Sequence, residues 1–231
     1  MSRADPRLIA GALIGSTAAG GGDKWSDLDL TFGLVDGVRI EDVLADWSVS
    51  LEKEFGAVYL FDLPYQTTTY RVFLLPSTLQ VDLSFTPGKR ILGQGLKHNI
   101  LFGNPLDREQ AKQLPPRHFF GLAVVFLFHA RACIARARIW EAEYCISAAR
   151  DETLSLACLR RGLKTTYGRG FDDLPRDSLK PFVGTLVRSL EKKELERALR
   201  RSVDLLTQNS EGVSELALRI EPQLRELESS Q

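Results

Sequence analysis

The chain has 231 residues, enough for one large domain or two small ones with a proper hydrophobic core. Lys plus Arg and Asp plus Glu each number 30, so no overall charge draws the protein onto DNA, RNA or a membrane surface. The charge is slightly uneven, with a net of −3 over residues 1–116 and +3 over residues 117–231.

The three cysteines, Cys133, Cys145 and Cys158, fall in apolar, helix-like stretches without a CxxC pair. They read as buried free thiols in a reducing compartment. His129 precedes Cys133 by four residues, but two ligands do not make a zinc set. The opening run Met1 to Arg7 is polar, unlike a signal peptide, and no apolar run reaches the roughly 18 residues of a membrane span. The expectation is a cytoplasmic protein.

Leu8 to Ser16 is short, apolar and ends in small residues, which predicts a buried strand running into a tight turn. Thr17 to Lys24 (TAAGGGDK) reads as a loop. A second strand is expected over Leu28 to Leu34, with Asp27 just before it and Asp29 inside it. Ile40 to Phe55 places Val43, Leu44, Trp47, Leu51 and Phe55 near helical spacing, and Gly56 is positioned to end that helix. Three β-rich runs follow: Ala57 to Leu63, Tyr70 to Leu75 and Leu79 to Phe85, with Pro76-Ser77-Thr78 as a turn between the last two.

Residues 88–117 are rich in Gly, Pro and polar side chains and suggest a junction. From His118 onward the pattern is helical, over about 118–138, 140–165, 176–190, 191–208 and 211–228. Breaks are expected near Trp140, at Tyr167 to Pro175 and at Asn209 to Gly212. The predicted class is therefore α+β: a mixed sheet with a flanking helix over 1–100, then a helical bundle over 101–231.

Asp27 and Asp29 are two residues apart, and on a strand that spacing puts both side chains on one face. Side-by-side carboxylates repel one another unless a cation lies between them, and hard oxygen ligands suit Mg²⁺. Leu28 and Leu30 point the other way, into the core. Asp82, between Val81 and Leu83, repeats the setting. If its strand neighbours the first, three carboxylates meet and can hold metal or supply a general base. Gly15-Ser16 lies on the turn ahead of the carboxylate strand, where glycine permits close approach of backbone to phosphate; no GK[ST] follows, so it is not a P-loop. Taken singly, each of these has an ordinary structural reading as a strand end, a turn or a surface residue.

Together, Gly15-Ser16, Trp25-Ser26-Asp27-Leu28-Asp29-Leu30 and Val81-Asp82-Leu83 resemble the nucleotidyltransferase superfamily that shares the DNA polymerase β palm fold. A minimal catalytic domain followed by a helical bundle is most similar to the adenylyltransferases of aminoglycosides and lincosamides. The motif-bearing likeness covers about residues 8–86. It implies that the carboxylates bind Mg²⁺, that the Gly-Ser turn grips a nucleoside triphosphate, and that the third carboxylate completes the metal site or acts as base. Two features depart from the family pattern. Only seven residues precede Leu8, where the family has a helix, and no basic residue closely follows Gly-Ser, so Lys24 would serve.

In the helical part, Arg150 and Lys164 are candidate phosphate contacts and Glu143 a candidate acceptor contact, although the more ordinary reading of all three is a solvated helix face. The resemblance implies an enzyme that transfers AMP from ATP to a hydroxyl of a small molecule, an antibiotic among the candidates, with Mg²⁺ as cofactor and no nucleic acid or membrane partner. The rivals are an antitoxin-like enzyme that modifies a protein, and a nucleotide-binding module without catalysis.

Overall fold

The computed structural model describes residues 2–18, 20–93, 97–109 and 113–227. The chain divides into two compact units, Met1–Lys112 and Gln113–Gln231. The first is built on a six-stranded mixed sheet and the second is all helix, so the class is α+β.

In the first unit, β1 (Leu8–Ile14) leads into a single helical turn, α1 (Gly15–Ala18). Next come β2 (Leu28–Leu34), α2 (Ile40–Phe55), β3 (Val58–Tyr65), β4 (Thr68–Leu74) and β5 (Gln80–Pro87). Three further strands follow: β6 (Arg90–Leu92), β7 (His98–Gly103) and β8 (Leu106–Asp107). The sheet order is β3-β4-β5-β2-β1-β7. β2 and β5 run parallel, and every other neighbouring pair is antiparallel. The parallel pair needs a crossover, and α2 with the β3–β4 hairpin supplies it.

Alternation along the central strands decides which face is which. Phe32, Leu34, Leu83 and Phe85 point to one face and are buried beneath Val43, Leu44 and Trp47 of α2. Phe32 meets Trp47 edge-on at 4.9 Å and stacks with Phe85 at 5.4 Å between ring centroids. Each such side chain contributes about 1.5–3 kcal/mol by leaving water. Gly56 ends α2 at φ 64°, a left-handed conformation that glycine adopts without a Cβ penalty.

The sequence expectation of a plain junction over residues 88–117 is corrected in part, because β6, β7 and β8 lie there. β7 pairs with β1 and belongs to the first unit, so a division at residue 100 would cut this strand. Gly103 makes that pairing possible: at φ 71° an added Cβ would sit 2.1 Å from the Ile9 carbonyl oxygen.

The second unit comprises α3 (Pro116–Ala135), α4 (Ile139–Leu159), α5 (Arg176–Val183), α6 (Lys192–Gln208) and α7 (Ser214–Glu226). Phe120, Leu127, Ile146, Leu156, Leu195 and Leu206 form its main core. The break between the first two helices falls at 136–138, with Ala137 at φ 56°, and Trp140 sits inside α4. α4 stops at Leu159, ahead of Gly162 at φ 67°, and α5 stops at Val183, ahead of Gly184, both earlier than the apolar pattern suggests. By length and composition α3 could cross a membrane, contrary to the sequence expectation. Its Phe119, Phe120, Ala123, Leu127, Ala130, Cys133 and Ile134 are instead core residues of the helical unit. All three cysteines are free and buried. Ala19 of the expected loop and Glu228 of the expected last helix lie outside the described residues.

Candidate active site

β2 and β5 lie side by side in parallel register, with Asp29 directly beside Asp82. Parallel register leaves Leu28, Leu30, Val81 and Leu83 on the α2 face and turns both aspartates to the other face. Asp27 is two residues before Asp29 and projects the same way. Asp27, Asp29 and Asp82 each offer a carboxylate oxygen within 4.8 Å of the others, and all three are partly buried. Convergence of the D-x-D pair with the third aspartate thus follows from strand adjacency.

The electrostatics agree with this crowding. Burial pushes the Asp82 carboxyl above its ordinary pKa, and the Asp27 charge adds to the rise; Gln80 works against it. The Gln80 side-chain amide donates to both Asp82 carboxylate oxygens, at 3.0 and 3.1 Å. Gln80 was absent from the sequence reading, although its i, i−2 spacing from Asp82 puts it on the same face.

Gly15 opens α1 with φ 82°. A Cβ there would lie 2.5 Å from Oδ2 of Asp29, so the turn packs directly on the carboxylate. The Gly15 amide donates to the Lys97 carbonyl at 3.2 Å. The Gly15 amide is therefore already engaged, and Ser16 contributes the hydroxyl donor next to it at this turn. Thr17 closes the loop by donating its hydroxyl to the Asp27 carbonyl at 3.0 Å, which fixes the turn against the D-x-D segment. Neither the Thr17 nor the Lys97 contact has a sequence signature, because each ends on a backbone carbonyl remote in the chain.

The other candidate residues are placed differently. Lys24 is exposed, and its ammonium lies 4.6 Å from the Trp25 ring centroid. Glu143 and Arg150 lie on α4 in the helical unit. Ser147 donates to Glu143 at 2.7 Å and accepts from Arg150 at 3.5 Å, while Arg150 also pairs with Asp151 at 3.0 Å. Lys164 is exposed in the segment after α4. Glu143 and Arg150 therefore share one hydrogen-bonded row on their own helix.

Three all-oxygen donors within one ion's reach, Asp29 and Asp82 on paired strands and Asp27 just ahead of the first, fit a hard divalent cation such as Mg²⁺. Soft ligands are absent from the cluster, which argues against a zinc–thiolate centre.

No protein-family model matches the chain, and no curated protein matches it. Among solved structures it is similar to an aminoglycoside 6-adenyltransferase from Bacillus subtilis, at 13% identity and a TM-score of 0.42, over 99% of this chain and 95% of that one. The superposition is shallow, and the functional reading rests on the geometry of the carboxylates and the Gly15-Ser16 turn.

Proposed function

We propose that the protein is a Mg²⁺-dependent nucleotidyltransferase that moves AMP from ATP to a hydroxyl of a small molecule. The observation that carries this reading is the triad of Asp27, Asp29 and Asp82, with carboxylate oxygens within 4.8 Å, packed against the Gly15 turn. The motif order of Gly-Ser, Asp-x-Asp and a third Asp supports it from the sequence side.

Asp27, Asp29 and Asp82 would hold the metal. Once bound, it supplies positive charge to the triphosphate and acidifies a nearby hydroxyl. The chain's own residues do the rest. Ser16 and the amides that follow Gly15 orient the triphosphate. The acceptor oxygen forms a bond to the α-phosphorus, the bond from that phosphorus to the bridging oxygen breaks, and pyrophosphate leaves with the electron pair. Asp82 completes the metal's ligand set or, where Asp27 and Asp29 alone carry the metal, is the residue we assign to receive the hydroxyl proton. Lys24, in the same unit as the triad, is assigned as a further triphosphate contact. A reducing cytoplasm suits the three buried thiols.

The test is pyrophosphate release from ATP and Mg²⁺ in the presence of antibiotics, sugars and small alcohols. Release that requires both Mg²⁺ and one acceptor is expected. Mg²⁺-dependent ATP binding without transfer to any acceptor would replace this reading with that of a nucleotide-binding module.

A further inference from the structure

Asp82 lies near the start of β5, and the opposite end of that strand borders a separate hollow. Thr86 follows Asp82 by four residues, which on a strand is about 13 Å. The hollow has a volume of about 760 Å³. One wall is the β3–β4 hairpin tip, where Tyr65 pairs with Thr68 across Gln66 and Thr67. The facing wall is Gly88, Lys89 and Arg90, with Arg108 and Glu109 beyond β8.

Hydrogen bonds of the backbone hold these walls. The Gly88 amide donates to the Leu34 carbonyl at 2.9 Å, Leu106 to Lys89 at 2.7 Å, and Arg108 to Leu92 at 2.7 Å. The floor is polar. Thr68 and Thr86 are buried and share a hydrogen bond of 2.8 Å between their hydroxyls. Arg108 donates to the Thr86 hydroxyl at 3.1 Å and to the Tyr70 hydroxyl at 2.8 Å.

The charge here is uncompensated. Arg108 is partly buried, yet its guanidinium is met only by neutral oxygens and makes no ion pair among the described residues. Its Nε is buried without any hydrogen-bond partner. A cation withdrawn from water without a counter-ion raises the free energy of the fold, and half-satisfied networks are costly. Lys89 and Arg90 add two exposed cations to the same walls against one carboxylate, Glu109. Arg90 spends one donor on the Asp107 carbonyl at 3.1 Å and keeps others for a ligand.

We propose that this hollow is an anion site that takes the phosphoryl group of a small molecule, with Arg108, Lys89 and Arg90 as its cations and Thr67 and Thr86 as neutral donors. Three cations match the charge of a phosphate dianion better than that of a monovalent carboxylate, and guanidinium forks match its geometry. The volume admits a ligand larger than the ion alone.

The experiment is calorimetric titration of the full chain with inorganic phosphate, and in parallel with acetate, in Mg²⁺-free buffer at low ionic strength. Phosphate is expected to bind and acetate to bind at least about tenfold more weakly. The double variant Lys89→Gln/Arg90→Gln, altered only at exposed positions, is expected to keep its melting temperature and to lose about tenfold in phosphate affinity. Arg108→Lys keeps the charge but not the fork and is expected to weaken binding as well. Ser16→Ala is expected to bind phosphate like the parent. Undiminished binding by the double variant, loss of binding in Ser16→Ala, or no phosphate binding by the parent would each overturn the proposal.

Discussion

Gly15 does two things that no other residue can do together. It holds φ at 82°, and its missing side chain leaves room for the Asp29 carboxylate, which an added Cβ would approach to 2.5 Å. Gly15→Val must strain the left-handed backbone, at roughly 1–2 kcal/mol, and push Asp29 out of the triad. We expect this variant to lose ATP binding and Mg²⁺-dependent stabilisation together, by calorimetry and thermal melting. Ser16→Ala removes one hydroxyl donor and should weaken ATP binding only a few-fold. ATP binding by Gly15→Val at the parent's affinity would show that the turn is not the phosphate grip. At this scale the sequence was informative wherever chemistry sits in a local period. The spacing of Asp27 and Asp29 put them on one face, and Asp82 repeated their apolar flanks. Thr17 and the Lys97 carbonyl were not legible as parts of the site, because their contacts form only when segments apart in the chain meet, whereas Gln80 was legible in principle from its two-residue spacing to Asp82.

Among the elements, those with strong periodicity were legible and those held by tertiary pairing were not. α2 runs from Ile40 to Phe55 and ends at Gly56, as its apolar spacing and glycine stop imply. By contrast, β6 and β8 have three and two residues, too short to show alternation. β7 depends on the glycine at 103 for its approach to β1. The start of α6 supplies a further test. Arg197 donates to both Glu194 carboxylate oxygens, at 2.8 and 2.7 Å, and to the Gly184 and Leu186 carbonyls, at 2.6 and 2.8 Å. Arg197 holds the Glu194 carboxyl down at about 2, from its ordinary 4.5. A depressed carboxylate adds stability in full above its unfolded pKa, and that stability is lost as pH falls through the folded value. Glu194→Gln should therefore lower the melting temperature at neutral pH by about 2–4 °C, the pair being near the surface. Its stability should also fall less than the parent's between pH 4.5 and pH 2. Parallel pH profiles for the two proteins would dismiss the pair as a stabilising contact.

For the molecule as a whole, the sheet unit and the helical unit were separable in the sequence by the change of pattern after Pro87. The boundary itself was blurred by strands that continue the first unit as far as Asp107, the unit ending at Lys112. The central proposal concerns the first unit: Asp29 and Asp82 on adjacent strands, with Asp27 just ahead of β2, would hold a catalytic divalent metal. The most direct measurement is Mg²⁺-dependent pyrophosphate release from ATP by the parent, Asp27→Asn and Asp29→Asn, with melting temperatures recorded with and without Mg²⁺. Asparagine keeps the shape and removes the charge that the metal needs. The account predicts that both variants stay folded, lose the stabilisation by Mg²⁺ and fall in activity by a factor on the order of 10³. Variants that release pyrophosphate at the parent's rate would contradict it, and would make Asp27 and Asp29 ordinary strand residues.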